Sequence, residues 1–423
     1  MRVLRLGMSG TDVQEIQSLL KRLGLDPGPV DGVFGRRTQQ AVMAFQRRFG
    51  LAADGIVGLN TYRAMESFLM GYDTHTIRPG DTLYAIARSY GVNPELIRAA
   101  NAGINANNLM VGQRIRVPYG IDVVSTDVDY TYDILQRNVA ALKALYPFIE
   151  TGVAGQSVLG RNLYYIRLGT GSHQVFYNGA HHALEWITSP LLMKFAEDFA
   201  RSYALNQRIA GYVPSEIWNQ SSIYIIPMVN PDGVDLVLNG LAPSNPYYND
   251  LITWNKGNSD FSADWQANNR GVDLNHNYDA AWEESKAGEA ALGITGPGPT
   301  RFSGPYPVSE PETRAIVDFT RSHDFRLVLA YHSQGQVIFW NFQNMATQEA
   351  RDIGGALAQA SGYTLEEASG IASYAGFKDW FVKEYRRPGY TVEVGLGKNP
   401  LPISQFDEIY GDNLPLLLLA SVI

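Results

Sequence analysis

From about residue 125 to residue 423, the chain alternates short apolar or β-branched runs with amphipathic helical stretches. This alternation limits the available folds more than any other feature, because strands and helices that follow one another in this way pack as a sheet covered by helices. We therefore predict an α/β domain with a mixed, mostly parallel sheet flanked by helices. The strand-like runs are 174–177, 223–228, 325–331 and 390–394, and helical patterns fall at 190–203 and 310–322.

The composition excludes several classes of protein. With 45% hydrophobic and 18% charged residues, the chain is typical of a globular protein, and 423 residues suffice for two or three domains. A net charge of -8 without a Lys/Arg-rich run argues against a nucleic-acid partner, which requires basic side chains to neutralise phosphates. The chain has no cysteine, so any metal must be bound by His, Asp or Glu.

Targeting segments are not visible in the sequence. No run of about 18 to 20 apolar residues occurs, so we expect no membrane span. The N-terminal stretch MRVLRLGMSGTDV lacks the continuous apolar core of a secretion signal. We therefore expect that export uses another route or that a signal lies outside this sequence.

Residues 1–70 contain two amphipathic helical patterns and a degenerate repeat. Thr11 and Asp12 are predicted to cap the first helix, and Gly24 is placed to end it. The segments DGVFGRRTQQAVMAFQRRFGL and DGIVGLNTYRAM each begin with Asp-Gly, apolar residues and another Gly before a helical pattern. This region resembles the three-helix peptidoglycan-binding domain of bacterial wall hydrolases. The apolar positions are Val13, Ile16, Leu19, Leu20 and Leu23, then Ala41, Val42, Phe45 and Phe49.

Residues 74–118 form a second small unit. An alternating apolar stretch is followed by two short helical patterns that begin near Thr82 and Pro94, and by a closing strand at 114–117. The order predicts a βααβ module. The opening PGDTL and the closing IRVP resemble the LysM domain. LysM domains bind the N-acetylglucosamine-containing glycan of peptidoglycan and chitin, so the resemblance implies a peptidoglycan partner.

Three potential metal ligands follow two strand-like runs. His182 and Glu185 come directly after HQVFYNGA, and His332 comes directly after FRLVLAY. In an open α/β sheet, residues just beyond the carboxyl ends of strands can converge although they are distant in sequence. Two imidazoles and one carboxylate form the ligand set with which a catalytic zinc keeps one position open. The sequence therefore predicts a zinc hydrolase.

Four ordered segments of the domain at 125–423, namely HALEWIT, GVDLNHNYD, YHSQGQ and YTVEVG, resemble the carboxypeptidase A-like metallopeptidases. The resemblance implies that His182, Glu185 and His332 bind one Zn²⁺ ion and that Glu393 is the catalytic carboxylate. His181 competes for the first ligand position, and we prefer His182 because it has the family spacing of three to Glu185. The carboxylate of Glu393 would accept a proton from the attacking water and deliver it to the leaving amine.

The substrate-binding positions depart from those of the digestive carboxypeptidases. Their Asn-Arg pair binds the free C-terminal carboxylate, whereas this chain has Asn275 followed by His276. Imidazole lacks the permanent bidentate charge of arginine, so strict dependence on a free C-terminus is not expected. The family also has an arginine that polarises the scissile carbonyl. We name Arg270 for this role, and the choice between the segments 254–256 and 265–270 remains open.

The segment SYAGFKDWF resembles the stretch that forms the specificity pocket in this family. Counting from Asp379, the position of the family's mobile tyrosine falls on Ile371, and Tyr374 is the nearest candidate. The same count puts Lys378 at the position that selects the side chain. A lysine there could pair with an acidic side chain, and an exposed loop lysine is the alternative.

Together these resemblances imply a γ-D-glutamyl-meso-diaminopimelate peptidase that cleaves stem peptides. Diaminopimelate carries a side-chain carboxylate that could pair with Lys378. We expect a protein associated with the cell wall or located outside the cell, including the spore wall. Two alternatives stay open: a general metallocarboxypeptidase anchored to the wall, and a wall-binding protein without catalytic activity. The sequence does not indicate an oligomeric state.

Overall fold

A computed structural model describes residues 2–423. The backbone divides into two compact units, residues 2–150 with Glu197–Gln207 and Thr151–Ala196 with Arg208–Ile423. The α-helices are α1 (Thr11–Arg22), α2 (Arg36–Arg48), α3 (Leu59–Leu69), α4 (Leu83–Tyr90), α5 (Pro94–Ala100), α6 (Tyr132–Leu145), α7 (Thr188–Ala204), α8 (Pro214–Gln220), α9 (Pro231–Asn239), α10 (Tyr248–Trp254), α11 (Trp282–Ala291), α12 (Pro311–Arg321), α13 (Gln348–Ser361), α14 (Phe377–Tyr385) and α15 (Phe406–Ala420). The strands are β1 (Tyr72–Thr76), β2 (Arg114–Pro118), β3 (Glu150–Gln156), β4 (Asn162–Leu168), β5 (His173–Gly179), β6 (Ser221–Ile226), β7 (Phe325–Ser333), β8 (Val337–Phe339), β9 (Thr364–Glu366) and β10 (Gly389–Val394).

Helices α1, α2 and α3 form the three-helix module that the sequence predicts, with a core of their own. The repeat in the sequence is also a repeat of hydrogen bonds. Gln17 in α1 bonds through its side chain to Asp31 and Thr38, and Gln46 in α2 bonds to Asp54 and Thr61. Each glutamine therefore fixes the Asp-Gly turn that leads into the next helix. The core contains Val13, Ile16, Leu19, Leu20, Phe34, Val42, Phe45, Met65 and Phe68.

The predicted start of α1 was wrong by one residue. Gly10 is the N-cap and no side chain caps the helix, because the carboxylate of Asp12 instead pairs with Arg2 at 2.7 Å. At the other end, Gly24 has a φ of 74° and its N–H donates to the carbonyl of Lys21, as expected for a glycine that ends a helix.

Residues 72–118 fold as the predicted βααβ module. Strands β1 and β2 pair antiparallel, and α4 and α5 lie between them in sequence. Thr82 accepts from the N–H of Ala85 at 3.1 Å and Asn93 accepts from the N–H of Glu95 at 2.9 Å, so both helices begin at side-chain caps. The module has its own core, formed by Ile77, Leu83, Ile86, Ala87, Ile97, Ile115 and Val117.

The second unit is built on an eight-stranded sheet with the order β3-β4-β6-β5-β7-β10-β8-β9. The central strands β6, β5, β7 and β10 are parallel, and β4 and β8 run antiparallel to their neighbours β6 and β10. This confirms the predicted mixed, mostly parallel sheet. A layer of aromatic residues from strands and helices, including Phe176, Phe319, Phe325, Phe377 and Trp380, fills one side of it. Within residues 2–423, no helix has both the length and the apolar character needed to traverse a bilayer.

The carboxyl ends of β5, β7 and β10 lie side by side. Strand β7 is hydrogen-bonded to β5 on one side and to β10 on the other, and all three are parallel. In this register His332 on β7 lies beside Glu393 on β10, and Tyr331 lies beside Gly179 on β5. Segments that leave these strand ends therefore meet at one edge of the sheet.

Candidate functional site

Two chain segments at this edge deliver the three predicted ligands. After β5 the chain turns at Ala180, which has a φ of 52° and donates its N–H to Oγ1 of Thr188 at 2.9 Å. The turn leads through His182 into a short 3-10 helix, Ala183–Glu185. His332 is the last residue but one of β7. The fold thus places two histidines and one glutamate on adjacent strand ends.

The side chains of His182, Glu185 and His332 converge. Nδ1 of His182 lies 3.0 Å from Oε1 of Glu185, and Nδ1 of His332 lies 2.8 Å from Oε2 of the same carboxylate. One donor atom from each of the three residues lies within 4.8 Å of the others. Two imidazole nitrogens and a carboxylate directed at one point are donors that suit zinc, so these residues fit the metal that the sequence predicts.

The electrostatics of the cluster favour a positive charge at its centre. Burial alone would lower the pKa of His182, but the charges of Glu185 and Asp273 outweigh burial and raise it well above the ordinary value of a histidine. Burial alone would raise the pKa of Glu185, but His182 and His332 outweigh it and lower this pKa to about 2. A carboxylate held ionised in a buried position stabilises a cation beside it.

Asp273 supports the outer side of His182 and was missed by the sequence analysis. Its Oδ1 lies 3.1 Å from Nε2 of His182. Its Oδ2 accepts from the backbone N–H of Arg301 at 2.8 Å, so the carboxylate is itself held in place. Histidines that bind metals commonly give their second ring nitrogen to a carboxylate. The signal was present in GVDLNHNYD, where the aspartate precedes Asn275 by two residues.

Asn399 contacts the cluster from a third segment and was also missed. Its Nδ2 donates to Oε1 of Glu185 at 3.2 Å and to the carbonyl of Ser333 at 2.5 Å. In return, Oγ of Ser333 donates to Oδ1 of Asn399 at 2.8 Å. These bonds tie the glutamate to the residue that follows His332. No local pattern in the sequence could indicate a contact between residues so far apart.

Glu393 reaches the same edge from β10. It is partly buried and lies beside His332 in the parallel pairing of β10 with β7. Burial and the negative charge of Glu185 outweigh the effect of His182 and raise the pKa of Glu393 well above its ordinary value. A carboxyl group with a raised pKa next to a cluster of metal-binding side chains is suited to accept and return a proton.

His181 lies outside the cluster. It is fully buried, and its Nε2 lies 2.9 Å from the hydroxyl of Tyr278. Burial lowers its pKa well below the ordinary value, and its ring stacks on Phe377 with a centroid separation of 6.0 Å. The structure therefore brings His182, and not its neighbour, to Glu185 and His332.

Asn275 and His276 form the short 3-10 helix Leu274–His276 beside Asp273. Oδ1 of Asn275 accepts from the N–H of Phe377 at 3.1 Å. His276 is buried, with Nδ1 at 3.3 Å from Oγ of Ser285, and burial lowers its pKa. An imidazole with a lowered pKa is neutral at neutral pH, so His276 does not supply the charge of the arginine found in the digestive enzymes.

The remaining predicted residues are engaged elsewhere. Arg270 contacts the hydroxyl of Tyr247 at 3.3 Å and lies 3.8 Å from Glu310. Lys378 is buried in α14, where its Nζ donates to the carbonyl of Asn341 at 2.6 Å and pairs with Asp379.

Tyr374 follows the 3-10 helix Gly370–Ser373, and its N–H donates to the carbonyl of Ile371 at 3.2 Å. Within residues 2–423, none of Arg270, Tyr374 and Lys378 has a hydrogen bond or ion pair to the cluster. The roles of these three residues in substrate binding therefore stay predictions.

Three known family models match separate parts of the chain. The zinc carboxypeptidase model matches residues 135–415, a putative peptidoglycan binding domain matches residues 9–65, and a LysM domain matches residues 75–118. The first of these models covers most of the chain and includes every residue of the cluster.

Individual relatives agree with these matches. The chain is 39% identical over 394 residues to gamma-D-glutamyl-L-diamino acid endopeptidase 1 of Lysinibacillus sphaericus, with 81% of this chain and 98% of that protein covered. It is 26% identical over 219 residues to carboxypeptidase A1 of Bos taurus, with 51% of this chain and 46% of that protein covered.

Solved structures with low identity share the fold. Carboxypeptidase A from Helicoverpa armigera aligns with a TM-score of 0.53 and 16% identity over 99% of this chain and 96% of that chain. Bovine thrombin-activatable fibrinolysis inhibitor, in complex with tick carboxypeptidase inhibitor, aligns with a TM-score of 0.52 and 20% identity over 69% of this chain and 95% of that chain.

Proposed function

Because the chain belongs to the zinc carboxypeptidase family, we propose that His182, Glu185 and His332 bind one Zn²⁺ ion and that the enzyme hydrolyses peptidoglycan stem peptides. The bond cleaved is the amide between the γ-carboxyl of D-glutamate and diaminopimelate. The observation that carries the proposal is the convergence of two imidazole nitrogens on both oxygens of the buried Glu185 carboxylate.

The chemistry of the site follows from its side chains. Zinc bound by this donor set supplies a Lewis acid that lowers the pKa of water and polarises a carbonyl. Glu393 takes the proton of the attacking water and returns it to the leaving amine, which its raised pKa favours. Asp273 and Asn399 hold His182 and Glu185 in the orientation that binding requires. The nucleophile is therefore water, and no covalent acyl-enzyme forms.

The substrate assignment rests on two features of the chain. The relative with 39% identity is named a gamma-D-glutamyl-L-diamino acid endopeptidase, and its similarity extends over 81% of this chain. In addition, His276 is neutral at neutral pH, so binding does not depend on a free C-terminal carboxylate. Both features suit an enzyme that cuts within a stem peptide.

The location of the enzyme follows from its N-terminal half. A peptidoglycan-binding domain at 1–70 and a LysM domain at 74–118 precede a catalytic domain at 125–423, and the first two have separate cores. Two modules that bind glycan raise the local concentration of stem peptides around the catalytic domain. We assign the protein to the cell wall or the extracellular space on this basis.

Mass spectrometry of products from purified muropeptides tests the proposal. With zinc present, disaccharide-tripeptide should release diaminopimelate, and disaccharide-tetrapeptide should release a dipeptide that begins with it. Loss of only the terminal D-alanine from the tetrapeptide, with cleavage of ordinary peptides, would instead identify a general metallocarboxypeptidase. A protein that binds zinc stoichiometrically and yields no product from any substrate would be a wall-binding protein without activity.

A further inference from the structure

A γ-D-glutamyl bond is flanked by free carboxylates. The γ-linkage leaves the α-carboxylate of D-glutamate free, and diaminopimelate carries another at the end of its side chain. Binding of such a substrate calls for a cation next to the scissile bond, and arginine is the side chain best suited to grip a carboxylate with two hydrogen bonds.

The cations predicted from the sequence are poorly available for this role. His276 is buried and bonded to Ser285. Lys378 is buried, and its ammonium is taken up by Asp379 and the carbonyl of Asn341. Arg270 is directed at Tyr247 and Glu310. Each of these groups already has partners inside the chain, so a substrate carboxylate would have to displace them.

Arg301 differs from these side chains. It is exposed, and within residues 2–423 no carboxylate or carbonyl pairs with its guanidinium. Its backbone N–H donates to Oδ2 of Asp273 at 2.8 Å, and Oδ1 of Asp273 lies 3.1 Å from Nε2 of His182. The carboxylate of Asp273 therefore connects the backbone of Arg301 to His182, a predicted zinc ligand. This connection holds Arg301 at the exposed edge of the site.

Two further observations concern the conformation and position of the Arg301 backbone. Its φ is 63°, a left-handed conformation that side chains with a Cβ rarely adopt and that is often found at functional sites. Asp273 connects Arg301 to His276, because its carbonyl accepts from the N–H of His276 at 3.0 Å and its Oδ2 accepts from the N–H of Arg301 at 2.8 Å. The backbone of Arg301 therefore lies on the side of the site that His276 occupies, the position that binds the substrate carboxylate in the digestive enzymes.

We propose that Arg301 is the substrate-binding cation of this enzyme and that it grips a free carboxylate of the stem peptide next to the scissile bond. This inference rests on the proposed function. In this proposal Arg301, whose charge is unpaired, takes the role that the sequence predicted for Lys378. Lys398 is the competing cation, because it is exposed and precedes Asn399, which bonds to Glu185.

Kinetics of the full-length zinc enzyme on three muropeptides test this inference. The first contains D-glutamate and diaminopimelate, the second has the α-carboxyl of D-glutamate amidated, and the third has L-lysine in place of diaminopimelate. On the first, Arg301→Gln should lower kcat/KM roughly 10- to 100-fold, mainly through KM, because a charged hydrogen-bond pair is lost. Arg301→Lys should lose less, since it keeps the charge without the bidentate geometry.

The two altered substrates identify the carboxylate. On the substrate that lacks the carboxylate bound by Arg301, the wild-type enzyme should already be slow, and Arg301→Gln should slow it no further. On the other altered substrate, the full loss should remain. Arg351→Gln, which changes an exposed arginine on α13, is the matched control and should behave as wild type.

Several outcomes would overturn the inference. These are an Arg301→Gln variant within twofold of wild type on all three substrates, an equal loss on all three, or the same pattern from Lys398→Ala. Zinc content and melting temperature of each variant show whether a loss comes from binding or from damage to the fold. If the wild-type enzyme cleaves none of the substrates, the proposed function fails, which is distinct from failure of the role of Arg301.

Discussion

Glu393 is the residue that we propose to exchange a proton with water. Burial and the charge of Glu185 raise its pKa, and His182 acts in the opposite direction. Replacement of Glu393 by Gln keeps the size of the side chain and removes its basicity. We expect turnover to fall by about 10²- to 10⁴-fold, the range typical of a lost general base. The measurement is the rate of muropeptide cleavage with one zinc ion per chain.

The zinc content of this variant separates a catalytic role from a structural one. His182, Glu185 and His332 are unchanged in Glu393→Gln, so it should bind zinc as tightly as the wild-type enzyme in a competition with a chelator. A variant with wild-type rates would refute the role of Glu393. A variant that loses zinc together with activity would show that Glu393 supports metal binding and does not act as the general base.

Glu312 gives the stability of the protein a predictable dependence on pH. It is fully buried at the start of α12, where its carboxyl accepts from the N–H of Val158 at 2.9 Å and from Nδ2 of Asn268 at 3.3 Å. Burial raises its pKa to about 8, and the charge of Asp232 acts in the same direction. At pH values between the pKa of Glu312 in the unfolded state and its pKa in the folded state, the folded protein therefore binds more protons than the unfolded protein.

The sign of this effect follows from proton linkage. The contribution of the protonated Glu312 is complete below the pKa of an unfolded glutamate, about 4.3, and is lost as the pH rises through about 8. The free energy of unfolding should fall over this interval by up to about 1.4 kcal/mol per pH unit. Urea unfolding at several pH values should show a flatter profile for Glu312→Gln, whereas the exposed control Glu216→Gln keeps the wild-type slope. Identical slopes in all three proteins would contradict this prediction.

Single residues of the site were predictable only where the chemistry is local. The spacing of three between His182 and Glu185 indicated His182 in preference to His181, and the structure brings that pair to His332. Asp273 lies within the motif GVDLNHNYD but was not singled out, and no local pattern marks Asn399, whose side chain reaches Glu185 only in the folded chain. For Lys378, the sequence left a pocket lysine and an exposed loop lysine open, and the structure buries it in α14 beside Asp379.

At the level of elements, the strands that the sequence predicts are the buried central ones. The runs at 174–177, 325–331 and 390–394 all lie within β5, β7 and β10, because strands covered on both faces are continuously apolar. The run at 223–228 is shifted from β6 by two residues. Strands β3 and β9 at the edges have mixed composition, and β8 is apolar but only three residues long, so no pattern separates these strands from loops.

The start of helix α13, which the sequence did not predict, offers a test of how a side-chain cap contributes to stability. Its N-cap Thr347 accepts from the N–H of Ala350 at 3.1 Å. Thr347→Ala leaves that N–H without its partner and should lower the free energy of unfolding by about 1 kcal/mol. Thr347→Ser keeps the hydroxyl and is the matched control.

Denaturant unfolding of both Thr347 variants measures the difference. The serine variant should match the wild-type protein within a few tenths of a kcal/mol, which is the usual difference between these two caps. Activity should be unchanged in both, since Thr347 has no contact with the cluster within residues 2–423. Equal losses in the two variants would show that the methyl group of Thr347, and not its hydroxyl, stabilises the helix.

For the whole molecule, short motifs predicted the two N-terminal modules, whereas no motif reports how the backbone groups into compact units. The two N-terminal modules were indicated by short motifs, and each has its own core in the structure. The compact units instead group α6 and residues Glu197–Gln207 with the N-terminal residues. This grouping depends on contacts between residues far apart in sequence, such as the bond from Glu197 to the N–H of Val123 at 2.6 Å, which no motif reports.

Binding to the wall and hydrolysis of the wall should respond differently to loss of the metal. The modules at 1–70 and 74–118 contain none of the residues proposed to bind zinc, whereas the proposed ligands His182, Glu185 and His332 all lie in the domain at 125–423. A chelator should abolish release of diaminopimelate from insoluble peptidoglycan, and the full-length protein should still sediment with that peptidoglycan. Added zinc should restore release without a change in the bound fraction. Dissociation from the wall on chelation would mean that the metal site itself contributes to anchoring, and the assignment of binding to the N-terminal modules would then be wrong.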